Sequence, residues 1–291
     1  MSGILGIVVT FVMVFGGYLM AGGHLSVILH SLPFEMMMIG GAAVGAYVLS
    51  NDMATLRHTL GDIRRAFAGP RWTQDDHRDV LCLLYRLLRL ARANPIELEQ
   101  HIEEPAASAI FAAYPRILAD ADTVSLIADT LRSIGLNYDD PYQVEDMLAR
   151  RIALMREEGV HVAHALQGTS DALPALGIVA AVLGVIKTMA AIDQPPEVLG
   201  KMIGGALVGT FLGVLLAYGF VAPLASRVER RTAESIKILE CIKTTLLASM
   251  NGYPPQLAVE FGRKVLFSTI RPSFTELEEH VRQTKTQAGG V

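Results

Sequence analysis

The chain has 291 residues, of which 51% are hydrophobic and only 19% charged, with a formal net charge of −4 and a mean hydropathy of +0.37. That balance marks a membrane protein and offers no basic surface for nucleic acid. The two cysteines, Cys82 and Cys241, fall in segments read below as cytoplasmic; they argue against a disulfide framework and read as buried apolar residues.

Residues 4–20 (ILGIVVTFVMVFGGYLM) form a first apolar run with no Lys or Arg before it and no small-residue cleavage site after it, so it is expected to stay as an uncleaved membrane helix. The following link carries His24 and His30 but no Lys or Arg. A second span is expected from about Leu32 to Ser50, with Pro33 in its first turn, where a missing N–H costs nothing. Glu35 would then lie near the helix start, where a carboxylate suits the positive end of the helix dipole and reaches water, a role favoured over a place in a conduction route.

The long middle segment, about Asn51 to Thr169, is too large to lack structure of its own. Val80, Leu83, Leu84, Leu87, Leu88 and Ala91 recur at helical spacing between Thr73 and Arg92, with Thr73 as N-cap and Asp76 completing a capping box. Further helices are expected over Ile96–Glu103 and Asp122–Ile134. Another starts after Pro141 and runs without a proline into the third membrane span. His161 and His164, three apart, lack the further ligands a metal site needs and read as solvated helix residues; no catalytic constellation, metal site or cofactor motif is visible. Arg86, Arg89 and Arg92 precede Pro95, and Glu97, Glu99, Glu103 and Glu104 follow it. These charges either pair across the turn or form a docking surface for a partner of complementary sign.

Residues 172–192 and 198–224 are the third and fourth apolar runs, each long enough to cross a bilayer as a helix. Pro174, Gly177, Ala181, Gly184, Thr188 and Ala191 share one face of the third; Gly205, Gly209, Gly213 and Ala217 share a face of the fourth, with Ala206 and Thr210 beside it. Small faces let backbones approach closely in lipid, and they serve either helix packing or the lining of a path or a socket for another helix. Neither run carries a carboxylate or histidine in its middle. If the protein moves protons, the titrating acid must come from another chain. Lys187 is close enough to its helix end to snorkel. After the fourth run, 227–249 reads as its helical continuation.

Arg57, Arg64, Arg65 and Arg71 follow the second span and Arg227, Arg230 and Arg231 follow the fourth, which places both termini and the middle segment in the cytoplasm. Pro174 and Pro223 then lie at one depth, as a hinge or as markers of helix ends. The expected architecture is all-α: a polytopic membrane protein with spans 1 and 2 in 1–50, a cytoplasmic helical domain in 51–169, spans 3 and 4 in 170–226, and a cytoplasmic helical segment in 227–291.

LPALGIVAAVLGVIKT at 173–188, ALVGTFLGVLLAYGFVAPLA at 206–225, NGYPPQLAVEFGRKVL at 251–266, RPSFTELEEHV at 271–281 and IFAAYPRILAD at 110–120 resemble the MotA family, the A subunits of the bacterial flagellar stator. The resemblance covers nearly the whole chain. It implies a proton-driven torque generator of the inner membrane: five A subunits around two single-span helices of a MotB-type B subunit. That partner supplies the membrane aspartate and a peptidoglycan anchor, and the rotor protein FliG is the target of the cytoplasmic charges. Carried over residue by residue, the ion-path and coupling positions are Pro174, Thr210 and Pro223, with Ala181 and Tyr218; the rotor-binding positions are Arg92 and Glu99, with Arg89. The segment ANPIEL between Arg92 and Glu99 is one residue shorter than the family pattern and contains Pro95. Two other readings use the same helices, an ExbB- or TolQ-like energising subunit and a passive membrane scaffold; two spans ahead of the large cytoplasmic part favour the stator.

Overall fold

The computed structural model describes residues 2–68, 71–135 and 140–288, and every regular element among them is helical. In chain order, α1 is Ser2–Met20. Then α2 (Leu25–Glu35), a π turn (Met36–Gly40) and α3 (Gly41–Ser50) run on as one helix of 26 residues. Next come α4 (Met53–Phe67), α5 (Gln74–Ala93), α6 (Pro95–Glu103), α7 (Ala109–Ala112), α8 (Pro115–Leu118) and α9 (Ala121–Gly135). They are followed by α10 (Pro141–Met189) and α11 (Pro196–Leu216), then by a second π turn (Ala217–Val221), α12 (Ala222–Met250), α13 (Pro255–Val265) and α14 (Phe274–Ala288). Among the described residues, four helices are long and apolar enough to cross a membrane: 3–20, 25–50, the apolar part of α10, and the run that starts at Pro196.

The chain divides into two compact units, 1–69 with 159–231 and 70–158 with 232–291. In the first, α1 packs through Phe15 edge-on to Phe211 at 6.0 Å and Phe11 against Phe220 at 5.1 Å. Asp52 caps α4 by accepting the Thr55 N–H at 3.0 Å. Arg227 Nε donates to the Ala66 carbonyl at 2.5 Å, and its guanidinium lies 5.6 Å from the Phe67 ring centre.

The second unit folds around α5. Its expected apolar face is the core: Val80, Leu83, Leu84 and Leu87 are completely buried and Leu88 nearly so, against Phe111, Ile127, Leu246 and Leu266. Each such side chain contributes about 1.5–3 kcal/mol relative to exposure. The capping box forms as expected, Thr73 Oγ1 accepting from Asp76 N and Asp76 Oδ2 accepting from Thr73 N at 2.7 Å. Cys82 and Cys241 are free and buried, and burial pushes both thiols up to about 12. His77 is buried against the Thr73 carbonyl, 2.6 Å from Nδ1, and burial holds its imidazole below the ordinary range.

One expectation is corrected, and two readings left open by the sequence are narrowed. The second span begins at Leu25, seven residues before the expected start, so Pro33 lies inside the helix and Glu35 is buried in mid-span instead of at a wet terminus. In lipid a helical proline is tolerated, because neighbouring helices and local π adjustment re-satisfy the freed groups; the π turn follows directly after Glu35. Pro174 and Pro223 likewise sit within helical runs and do not mark helix ends. Nor do the charges flanking Pro95 pair with one another among the described residues: Glu103 binds Arg132 at 2.7 Å, and Arg92 turns elsewhere. The continuous helix after Pro141 is as expected, 49 residues without a break.

Candidate functional site

The site grows from glycine positions on α10 and α11. A methyl group on Gly177 would lie 2.9 Å from the Gly209 carbonyl oxygen, 3.1 Å from Gly213 Cα and 3.4 Å from Thr210 Cα. One on Gly213 would lie 2.7 Å from the Leu173 oxygen and 2.9 Å from Gly177 Cα, and one on Gly184 would lie 2.9 Å from Ala206 Cα. The two backbones are therefore in direct contact, an approach that only small residues allow. Thr210 stands half-buried at this contact, and Ala181 opposite Gly209. At these positions the small faces serve packing within the chain: Gly205 faces Ser31 on α2, and Gly209 faces Glu35.

One turn before Pro174, the fully buried Ser170 donates its hydroxyl to the Ala217 carbonyl at 2.9 Å. That carbonyl also accepts the Ala222 N–H that closes the second π turn. The Pro174 stretch of α10 is thus joined by a hydrogen bond to the π turn two residues ahead of Pro223. Pro174 is half-buried, while Pro223 and Tyr218 are exposed. The structure accordingly brings together Pro174, Ala181, Thr210 and the approach to Pro223, and leaves Tyr218 on an outward face. The sequence favours a terminal role for Glu35 over a place in a conduction route, and reads Ser170 as a helix cap or polar lining without a partner. No sequence signal links Ser170 to a carbonyl 47 residues away, whereas Glu35, Ile39 and Ala43 share a face at i, i+4 and i+8 and are all buried.

Where the second span leaves the bundle, a cavity of about 510 Å³ is lined by Tyr47, Asn51, Thr55, His161, His164 and Thr169. Both histidines are exposed there.

The charged positions lie in the second unit. Asn94 ends α5 and caps α6, accepting from Glu97 N at 3.3 Å, with Pro95 in the first turn. Arg89 and Glu99 are exposed. Arg92 Nη2 donates to the carbonyls of Tyr253 at 2.6 Å and Gly252 at 3.2 Å, which fixes its stem while Nε and Nη1 remain as further donors.

Apolar spans whose small faces meet backbone to backbone, with a threonine at the contact and Pro174 beside it, define a multi-pass membrane protein. Family models agree: residues 4–95 match "Motility protein A N-terminal" and residues 121–241 match the "MotA/TolQ/ExbB proton channel family". Motility protein A of Salmonella typhimurium is 45% identical over 283 residues, covering 97% of this chain and 95% of that one. Chemotaxis protein LafT of Vibrio parahaemolyticus is 35% identical over 280 residues, with coverage of 96% and 98%. In fold the chain resembles the C. jejuni MotAB structure (TM-score 0.73, 17% identity, 94% and 98% covered). It also resembles the flagellar MotAB stator complex of Bacillus subtilis (TM-score 0.65, 20% identity, 88% and 92% covered). The chain belongs to the motility protein A family, the stator subunits of the flagellar motor.

Proposed function

We propose that this chain is the ring-forming half of a proton-driven stator in the bacterial inner membrane, five copies enclosing the single-span helices of a MotB-type partner. Both termini, 51–169 and 227–291 lie on the cytoplasmic side, in keeping with the arginines that follow the second and fourth spans. The partner supplies a membrane carboxylate and a peptidoglycan anchor. Arg89, Arg92 and Glu99 face the rotor protein FliG, where charges act chiefly on specificity and encounter.

The observation that carries this reading is the locked contact of α10 and α11. Because Gly177, Gly209 and Gly213 leave no side chain between the backbones, a displacement of either helix moves both. Ser170 passes that displacement to the π turn before Pro223. Pro174 and Pro223 lack the N–H that would stiffen their turns, so bending concentrates there. Thr210 offers a hydroxyl at the level of Gly177 for the partner's acid or for water. Protonation of that acid removes a charge from the face, and the helix pair relaxes to a second arrangement.

The test is torque in a motile host that lacks its own A subunit. Thr210→Val and Pro223→Leu are expected to abolish torque while the chain still co-purifies with its partner from membranes. Full torque in both variants would refute the route. Wild-type chain plus partner that conducts no protons would leave only a scaffold.

A further inference from the structure

Glu35 is 5% exposed, lies inside a helix long and apolar enough to cross the membrane, and its Oε2 has no hydrogen-bond partner among the described residues. The carboxyl points at the place where Gly209 has no side chain. A methyl group there would lie 2.6 Å from Glu35 Oε2, 3.2 Å from Ala180 Cβ and 3.3 Å from the Ala181 nitrogen. Gly209 is thus the opening through which the second span's acid reaches the contact between α10 and α11, one residue from Thr210.

A purely structural role does not account for this residue. An acid kept for packing would be paired, and a leucine or glutamine would fill the same space without burying an unpaired ionisable group. Among the described residues it takes part in no ion pair. Its carboxyl faces Gly209, and Ala180 and Ala181 border the same gap. The titratable side chains on the packed elements of this unit are His30 and Tyr47 on its own helix, His161, His164, Asp171 and Lys187 on α10, and Glu197, Lys201 and Tyr218 on α11 and its π turn, each five or more residues along the chain from the contact. A buried carboxyl without a partner neutralises by holding a proton.

We propose that Glu35 is a second acid of the ion route, a proton-binding site carried by this chain itself, placed by Gly209 beside Thr210 and exchanging its proton with the water or partner acid at that contact. No bond other than O–H is made or broken, and the proton returns to the route it came from. The inference rests on the α10–α11 contact being that route.

The experiment measures torque against external pH for wild type, Glu35→Gln and Glu35→Asp, each expressed with the B-type partner, with membrane recovery of the complex as a control. Glu35→Gln, which keeps the shape but not the titration, is expected to shift the pH of half-maximal torque, and Glu35→Asp to restore it in part. An unchanged profile in Glu35→Gln at full torque overturns the proposal while leaving the stator reading intact, whereas a wild-type complex that conducts no protons defeats that reading first. If Glu35→Gln fails to reach the membrane, the decision passes to wild-type membranes treated with dicyclohexylcarbodiimide, which adds to protonated carboxyls in apolar surroundings. An adduct on Glu35 by mass spectrometry supports the site, and an unmodified Glu35 overturns it.

Discussion

Adding one methyl group at Gly213 tests the tightest part of the helix contact. Its Cβ would sit 2.7 Å from the Leu173 oxygen, 2.9 Å from Gly177 Cα and 3.2 Å from the Gly177 nitrogen, all backbone atoms with no rotamer to turn. Ordinary carbon–oxygen contacts begin at about 3.3 Å, so α10 and α11 must part by roughly 0.6 Å. Forced overpacking of this kind costs about 1–3 kcal/mol, offset by at most about 1 kcal/mol from the better helix propensity of alanine. Gly200 on the same helix is the control, because nothing lies within 4 Å of its added methyl; Gly200→Ala should be neutral or stabilising by about 0.5–1 kcal/mol. The two variants should therefore differ by about 2 kcal/mol, near thirtyfold in the unfolding equilibrium. Reversible unfolding of the purified full chain in mixed micelles reads that difference. Equal stability of Gly213→Ala and Gly200→Ala would show that the two backbones do not touch.

Ser170→Ala removes one buried hydrogen bond but leaves the Ala217 carbonyl bonded to the Ala222 N–H, so no orphan is created and the loss should be only about 0.6 kcal/mol; in the same unfolding assay, a cost several times larger would mean that the serine does more than join the two helices. Because burial lowers the pKa of His77 in the folded state, the unfolded chain binds its proton first. Stability is then full above the unfolded value of about 6.5 and is lost as pH falls from there through the lowered folded value. His77→Gln should flatten that part of the pH–stability curve, and an unaltered slope would place the titration elsewhere. Charge reversal at Arg92 should impair swimming and be partly rescued by a compensating change on the rotor; reversal of both Arg92 and Glu99 without effect on swimming would remove the docking face.

Local features were legible because their causes are local. The Thr73–Asp76 capping box, the buried stripe of α5 and the unbroken helix after Pro141 follow from spacing, caps and the lack of an interrupting proline. Pro33 misled for a physical reason: in water it would start a helix, and in lipid it sits eight residues inside one. With the start misplaced, Glu35 took on a terminal role that its burial contradicts. The Ser170–Ala217 bond and the Glu35–Gly209 approach join residues far apart in the chain, and only the packed helices bring them together. The resemblance supplied Thr210 and the prolines, but it did not indicate that the glycines beside them hold two backbones in contact.

The π turn at Ala217–Val221 has a geometric consequence for everything that follows it. One residue beyond the α period advances the helix by about 100° around its axis and 1.5 Å along it. Pro223 and Arg227 therefore point about 100° away from the direction that the spacing of Gly205, Gly209 and Gly213 extrapolates to. Deleting a single residue there would restore the regular period and swing the downstream side chains back by the same angle, so a change in chain length at this point acts as a turn of the screw.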